Sequence, residues 1–294
     1  MNSQTDPRLS IVFAATHDSP ALHAAVERHL EQLAEVGGEL LVADGSPDGL
    51  PEAIPVAVQM PGADVFELRA AATELARGWV VAITEDHCMP ETDWHSAILR
   101  AHEEHPDIAA VGGTTLNGSR ERALDWANFL VTFASFLPPL PLRHPTRSSP
   151  PVNISIKRES LAEFELVPGR LEMEIIPNMY RVGQLVLDER MRVTHIQSHS
   201  LRRTVAAHFH NGRSTAALPF RRPPARELAR RSAHSLILPV LLLAETLGSV
   251  RHKPGYRRVA ARAFPFMVVL TCSHAAGELM GTLFGRGNSP ERLE

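Results

Sequence analysis

The sequence predicts an α/β protein: an open, mostly parallel sheet flanked by helices, followed by a helical apolar tail. Three observations predict it. Short apolar runs of strand length alternate with helical patterns through the first third of the chain and beyond. Three of those strands end in polar residues, which suits a sheet that binds ligands at its carboxyl edge. From Arg221 onward the character changes, with 12 Arg and Lys against 5 Asp and Glu in a chain whose net charge is −3.

The elements follow in order. Ser10–Ala15 is an apolar run of strand length. Ser19-Pro20 supplies an N-cap and a first helical residue, and Leu22, Val26, Leu30 and Leu33 recur at helical spacing until Gly37-Gly38. Glu39–Ala43 is a second strand, and Asp44 to Gly49 is a loop of turn formers. Ile54–Val58 predicts a short third strand. Phe66, Arg69, Ala72 and Ala76 share a helix closed by Gly78. Trp79–Thr84 is a buried type of strand running into Glu85-Asp86-His87. Thr92–Glu104 is a helix and Ile108–Gly112 another strand. Arg120–Phe136 has a helical pattern, broken by the prolines between Leu137 and Leu142 and again at Pro150-Pro151. Val152–Lys157 alternates like a half-buried strand.

Composition sets bounds. With 294 residues, 44% hydrophobic and 21% charged, the chain is of ordinary globular composition. The near-neutral balance gives no electrostatic pull towards nucleic acid. Cys88 and Cys272 alone cannot build a disulfide framework, which fits a reducing, cytoplasmic setting. Met1 to Leu9 is polar and lacks an apolar signal core, which argues against secretion. There is no G-x-G-x-x-G after the first strand and no P-loop motif, so a phosphate-bearing ligand needs another counter-charge. A metal held by carboxylate and imidazole would supply one.

The strand ends themselves are Thr16-His17-Asp18, Asp44-Gly45-Ser46 and Glu85-Asp86-His87. Taken alone, Asp44-Gly45-Ser46 is equally a plain turn and Glu85-Asp86-His87 a solvated strand end. Taken together, SIVFAATHD, ELLVADGSPDG and then Arg69, ARGWVVAITEDHCMP and Trp94 resemble family 2 glycosyltransferases, which have the GT-A fold. Their members read S-I-V-I-P-T-Y-N, then V-D-D-G-S-x-D-G, then an acidic triplet.

The resemblance implies transfer of a sugar from a nucleotide-diphosphate sugar to an alcohol acceptor, metal-assisted and with inversion. It implies that Asp44 contacts the nucleobase, with Ala43 in place of the preceding aspartate. Thr16, Asp18 and Arg69 then border the nucleotide. Glu85 and Asp86 meet the ribose and a divalent metal, Mn²⁺ or Mg²⁺. His87 stands where a third aspartate is usual, so the implied metal set is His87, Asp86 and His195. Glu172 falls on the position of the general base, with Glu174 as the alternative and Leu171 replacing a glutamate; both glutamates are otherwise surface carboxylates. A positioned carboxylate is what an alcohol nucleophile requires. Arg213, in a stretch that closes over the donor in the family, is a further donor contact. The apolar, proline-bearing segment after Asn117 falls where the family lines its acceptor site, which points to a greasy or lipid-linked acceptor.

Two readings stand beside transfer. Ala43, His87 and Leu171 also suit a catalytically inactive, glycosyltransferase-like nucleotide-binding protein. A nucleotidyltransferase would want a Gly-rich basic first loop, and Ala14–Asp18 is not one.

The expected division is a catalytic domain over residues 1–220 and a basic, apolar tail over 221–294. In the tail, Ser235–Leu247 is apolar but shorter than the ~20 residues a span needs. Ala263–Phe284 is long enough but contains His274 and Glu278, which are costly in lipid. Basic clusters precede the first run and separate the two. Interfacial helices keep both clusters on the anionic inner leaflet, so the expectation is peripheral attachment at the cytoplasmic face. The alternative is that both runs pack on protein.

Overall fold

The computed structural model describes residues 6–140, 146, 148–169, 171, 175–216 and 224–293. They form two compact units. The first is Met1–Leu116 with Pro138–Ile196, and the second is Asn117–Leu137 with Gln197–Glu294. This partition differs from a cut at 220/221. The segment after Asn117 and the helix Leu201–Ala216 group with the C-terminal helices.

The first unit is built on an eight-stranded sheet. Its elements are β1 (Leu9–Ala15), α1 (Pro20–Val36), β2 (Gly38–Asp44), β3 (Val56–Gln59), α2 (Val65–Glu74), β4 (Val80–Ile83), β5 (Cys88–Pro90), α3 (Trp94–Glu104) and β6 (Ile108–Asn117). In the second unit α4 (Ala123–Phe133) comes next. The chain then returns to the first unit for β7 (Ile154–Lys157), the short turns α5 (Arg158–Leu161) and α6 (Ile176–Asn178), and β8 (Gln184–His195). The strand order is β3-β2-β1-β4-β7-β6-β8-β5. The sheet is mixed. Pairing is parallel through β3, β2, β1 and β4, and antiparallel for β4 with β7, β7 with β6, and β5 with β8.

Local chemistry explains the elements that place the site. All of β1 is buried, as a central strand covered on both faces should be. Ser19 caps α1 by accepting from the Leu22 amide, and Gly37 ends it at φ 74°, a conformation that glycine adopts without steric cost. Asp64 and Glu67 close a reciprocal capping box on α2, a start signal beyond the apolar spacing that predicted the helix. One face of the sheet is filled by Val12, Leu41, Val81, Ile83, Ile154 and Ile156, with Leu68 and Ala72 of α2 packed into the same cluster. Beside β6, the amide of Asn153 is buried. It donates to the carbonyls of Thr114 and Met191 and accepts from the Trp94 indole at 2.9 Å, so all three groups are satisfied.

The second unit is helical: α4, α7 (Leu201–Ala216), α8 (Ala225–Arg251) and α9 (Arg257–Phe284). Helix α9 packs against α4, α7 and α8. Its seam with α7 is backbone-close at Gly212, Gly277 and Gly281, where a Cβ would overlap carbonyl oxygens of the facing helix. Lys253, in the connection between α8 and α9, is buried and donates to the carbonyls of Ala134, Ser135 and Leu137. The apolar run Ser235–Leu247 sits inside a continuous 27-residue helix that passes through Pro239. By length and composition, α8 and the 31-residue stretch Pro254–Phe284 are each long and apolar enough to cross a membrane.

Candidate active site

Three neighbouring parallel strands, β2, β1 and β4, end side by side. Their carboxyl ends carry Asp44, the loop Thr16-His17-Asp18, and Glu85-Asp86-His87. A fourth contribution arrives by antiparallel pairing. β5 follows the acidic triplet directly and pairs with the end of β8, Cys88 opposite His195. The Ile196 amide donates to the His87 carbonyl at 3.0 Å. Backbone bonds therefore hold His195 beside a triplet more than 100 residues earlier in the chain.

Side-chain donors converge there. Glu85 Oε2 lies 3.2 Å from His87 Nε2 and 3.6 Å from His195 Nε2. The two imidazole Nε2 atoms are 3.1 Å apart. The other carboxylate oxygen of Glu85 accepts from Arg69 of α2 at 2.7 Å, and Arg69 is itself buried. Asp86 turns to a different atom: its Oδ1 lies 2.7 Å from His87 Nδ1. Among the described residues, Glu85, His87 and His195 form the cluster able to hold a metal ion. Their spacing fits one. Ligands about 2.0–2.2 Å from a shared first-row divalent ion lie roughly 3 Å from each other.

The electrostatics follow from burial and these contacts. Burial alone would raise the Glu85 carboxyl. The hydrogen bonds from His195 and His87, with the charges of His87 and Arg69, outweigh it and hold the group well below the usual carboxylate range. Burial alone would lower His87, but its bonds to Asp86 and Glu85 push it up to about 10. His195 goes the other way: burial lowers it, the Glu85 contact opposes that, and the His87 charge adds to the lowering. Without a metal His87 is thus held as a cation between two carboxylates, and a metal held at its Nε2 would displace that proton. Cys88 is fully buried, and burial with the charges of Glu85 and Asp86 pushes its thiol well up, which suits packing and not nucleophilic attack.

The remaining residues singled out in the sequence are placed as follows. Asp44 is fully buried, and both carboxylate oxygens are engaged. Oδ1 accepts from the Ser46 amide at 2.8 Å and its hydroxyl at 2.5 Å, while Oδ2 accepts from the Leu50 amide and the Gln59 side chain. In this state Asp44 shapes the loop after β2. Thr16 contacts His17, and exposed Asp18 pairs with His23 at 2.7 Å. Arg213 lies on α7 in the second unit and donates to the Gly285 carbonyl beyond the end of α9. Glu172 and Glu174 lie outside the described residues; Leu171 and Ile175 beside them are buried in the sheet's core cluster.

Of the triplet that the resemblance sets against ribose and metal, Glu85 and His87 converge with His195, while Asp86 contacts the far nitrogen of His87. The missed signal is the short strand β5, whose pairing with β8 fixes which side chains of the triplet meet His195.

No family model matches the chain, and no curated protein matches it either. Among solved structures it is similar to the mannosyltransferase PcManGT from Pyrobaculum calidifontis, solved in complex with GDP-Man and Mn²⁺. The match has a TM-score of 0.56 at 16% identity and covers 96% of this chain and 88% of that one. What the two share at that identity is the fold.

Proposed function

We propose that this chain is a family 2, GT-A-type glycosyltransferase that moves a sugar, of the hexosyl class, from a nucleotide-diphosphate donor to an alcohol acceptor with inversion. One observation carries the proposal. Glu85, His87 and His195 converge at the carboxyl end of β4, beside the ends of β1 and β2, in a fold shared with an enzyme solved with GDP-Man and Mn²⁺. Ligands of open α/β sheets bind at such strand ends.

In this proposal Thr16, Asp18, Asp44 and Arg69 border the donor, and Glu85, His87 and His195 hold the cation. When bound, the divalent metal supplies counter-charge to the diphosphate and to its departure. Glu172 accepts the acceptor hydroxyl's proton as that oxygen forms its bond to the anomeric carbon, and the bond to the nucleoside diphosphate breaks; Glu174 is the alternative base. Residues 1–220 carry the proposed chemistry and 221–294 the proposed attachment.

The acceptor is proposed to be lipid-linked and the protein peripheral on the cytoplasmic face of the membrane. Along α8, Leu236 is 73% and Val240 69% exposed, and Ile237 and Leu241 are exposed beside them. Arg226, Arg230 and Arg231 precede this stripe. A basic end followed by an exposed apolar face suits an anionic interface. Sedimentation with anionic vesicles should carry the full chain down, and a Leu236→Ser/Val240→Ser variant should release it. Equal solubility with and without vesicles contradicts the attachment.

A second reading, nucleotide binding without transfer, is favoured by the closed contacts of Asp44 and by Ala43 beside it. Turnover separates the two. The full chain is given UDP-, GDP- and dTDP-sugars with Mn²⁺ and a polyprenyl-linked glycan bearing free hydroxyl groups, and nucleoside diphosphate release is followed. Acceptor-dependent release with one donor supports transfer. Binding without release from any donor supports the second reading.

A further inference from the structure

A buried polar chain that the proposed chemistry does not use ends on the strand that sets His87 beside His195. β5 is the last strand in the sheet order, so only β8 pairs with it. Its remaining hold comes from α1, which packs against it. Gln32 of α1 is buried and donates from Nε2 to the carbonyl of Glu91, the residue after β5, at 2.8 Å. The Glu91 amide donates to the Arg192 carbonyl at 3.0 Å. The end of β5 is therefore gripped by β8 and by α1.

The chain has a direction. The Glu91 carbonyl can only accept, so the Gln32 amide nitrogen faces it and Oε1 faces the other way. Oε1 lies 2.6 Å from His95 Nδ1, so that nitrogen carries the proton. Burial keeps His95 neutral, which leaves its Nε2 bare. That bare nitrogen lies 3.0 Å from His29 Nδ1, which must then donate. His29 Nε2 is left as a buried acceptor with no partner among the described residues. An unpaired buried nitrogen costs stability, and an apolar residue at position 29 would avoid that cost but could not hold His95. Local costs of this kind gather where geometry serves function.

We infer that His29, His95 and Gln32 form a one-way hydrogen-bond relay from α1 and α3 to Glu91, and that they are positioning residues that hold β5 in the register joining His87 to His195. The inference rests on the metal cluster of the glycosyltransferase reading.

Two measurements on the full chain test it. Long-range ¹H–¹⁵N spectra of histidine-labelled protein should show His29 and His95 as neutral Nδ1–H tautomers, assigned by the loss of each signal in His29→Gln and His95→Gln. Mn²⁺ alone is then titrated, with the free ion followed by electron paramagnetic resonance. Gln32→Met keeps the bulk and removes both of its hydrogen bonds, so Mn²⁺ affinity should fall about 10-fold. Val26→Ala, on the buried face of the same helix, lowers the melting temperature without touching the relay and should leave Mn²⁺ affinity as in the wild type. Circular dichroism confirms that both variants are folded.

An Nε2–H tautomer at either histidine overturns the relay. Equal weakening by Gln32→Met and Val26→Ala reduces it to packing and overturns the positioning role, as does Mn²⁺ affinity unchanged in Gln32→Met. Wild-type protein that takes up no Mn²⁺ sinks the metal cluster of the glycosyltransferase reading and the positioning role with it, whereas wild-type uptake that Gln32→Met leaves unchanged sinks the relay's role alone.

Discussion

Asp86 and Glu85 are adjacent in the chain and do different work. Glu85 spreads one carboxylate over Arg69, His87 and His195, and Asp86 holds the back of the His87 ring. The division follows from where the chain turns after β4, since β5 starts at Cys88 and is tied at once to β8. The carboxylate whose role is proposed from its place in the sequence is Glu172. Glu172→Gln keeps the size and removes the basicity, so turnover with saturating donor should fall about 10²–10⁴-fold. Donor affinity should change little. A variant that loses less than tenfold, while Glu174→Gln loses far more, moves the base to Glu174. At this scale the sequence made Glu85, Asp86, His87 and His195 legible as one group, because polar residues at a strand end stand out against its apolar run. Their separate roles depend on which atom faces which, and a three-residue strand sets that. Asp44 was legible as a loop residue, but its saturation by Ser46, Leu50 and Gln59 is a matter of folded geometry.

Among the elements, α1 was written plainly in Ser19-Pro20 and Gly37, since caps are local chemistry. Strand β5 was not, because three residues carry no period and its pairing partner lies far along the chain. The extent of α8 was also hidden. Its apolar run is short, and the basic turns before it extend the same helix. Helices α7 and α9 rest on glycines that periodicity passes over. Gly277 faces the Phe209 carbonyl and Gly212 the His274 carbonyl so closely that a methyl group cannot enter without moving a helix. Gly277→Ala should therefore destabilise the helical unit by about 1–3 kcal/mol, an overpacking cost. Gly248, inside α8, has open space where its Cβ would be. Gly248→Ala should stabilise by about 0.5–1 kcal/mol through helix propensity and a less free unfolded chain. Thermal melts of the two variants check the contrast, and a similar shift in both contradicts the close seam.

For the molecule as a whole, buried histidines set the response to acid. His29 and His95 are fully buried between α1 and α3, with His29 Nδ1 3.0 Å from His95 Nε2. Burial, and for His29 also its neighbour, holds His29 well below its usual value, and burial brings His95 down to about 3. His102 is brought to about 3 by burial and the Lys157 charge. Each is neutral when folded and takes up a proton when unfolded below pH ~6.5. Their contribution is complete above that pH and is lost as pH falls towards 3. His87 has the opposite sign: raised to about 10, its contribution is complete below ~6.5 and lost as pH rises towards 10. The urea midpoint, followed by tryptophan fluorescence, should fall steadily from pH 6.5 to 5.5, above the range in which carboxylates titrate. A flat midpoint over that interval contradicts the neutral buried cluster. The α/β class and apolar C-terminal helices were legible at this scale because alternation and charge are properties of long stretches. The grouping of the segment after Asn117 with those helices was not, since it depends on contacts made across the sequence.

The central claim is a metal-dependent nucleotide site at the ends of β1, β2 and β4. Calorimetric titration of UDP, GDP and dTDP into the full chain, with and without Mn²⁺, tests it most directly, beside a Glu85→Gln/His87→Ala variant shown to be folded. One nucleotide should bind with Mn²⁺, bind at least ~10-fold more weakly without it, and lose the metal-dependent increment in the variant. Folded wild-type protein that binds none of the three, or that binds one equally with and without metal and in the variant, would contradict the claim.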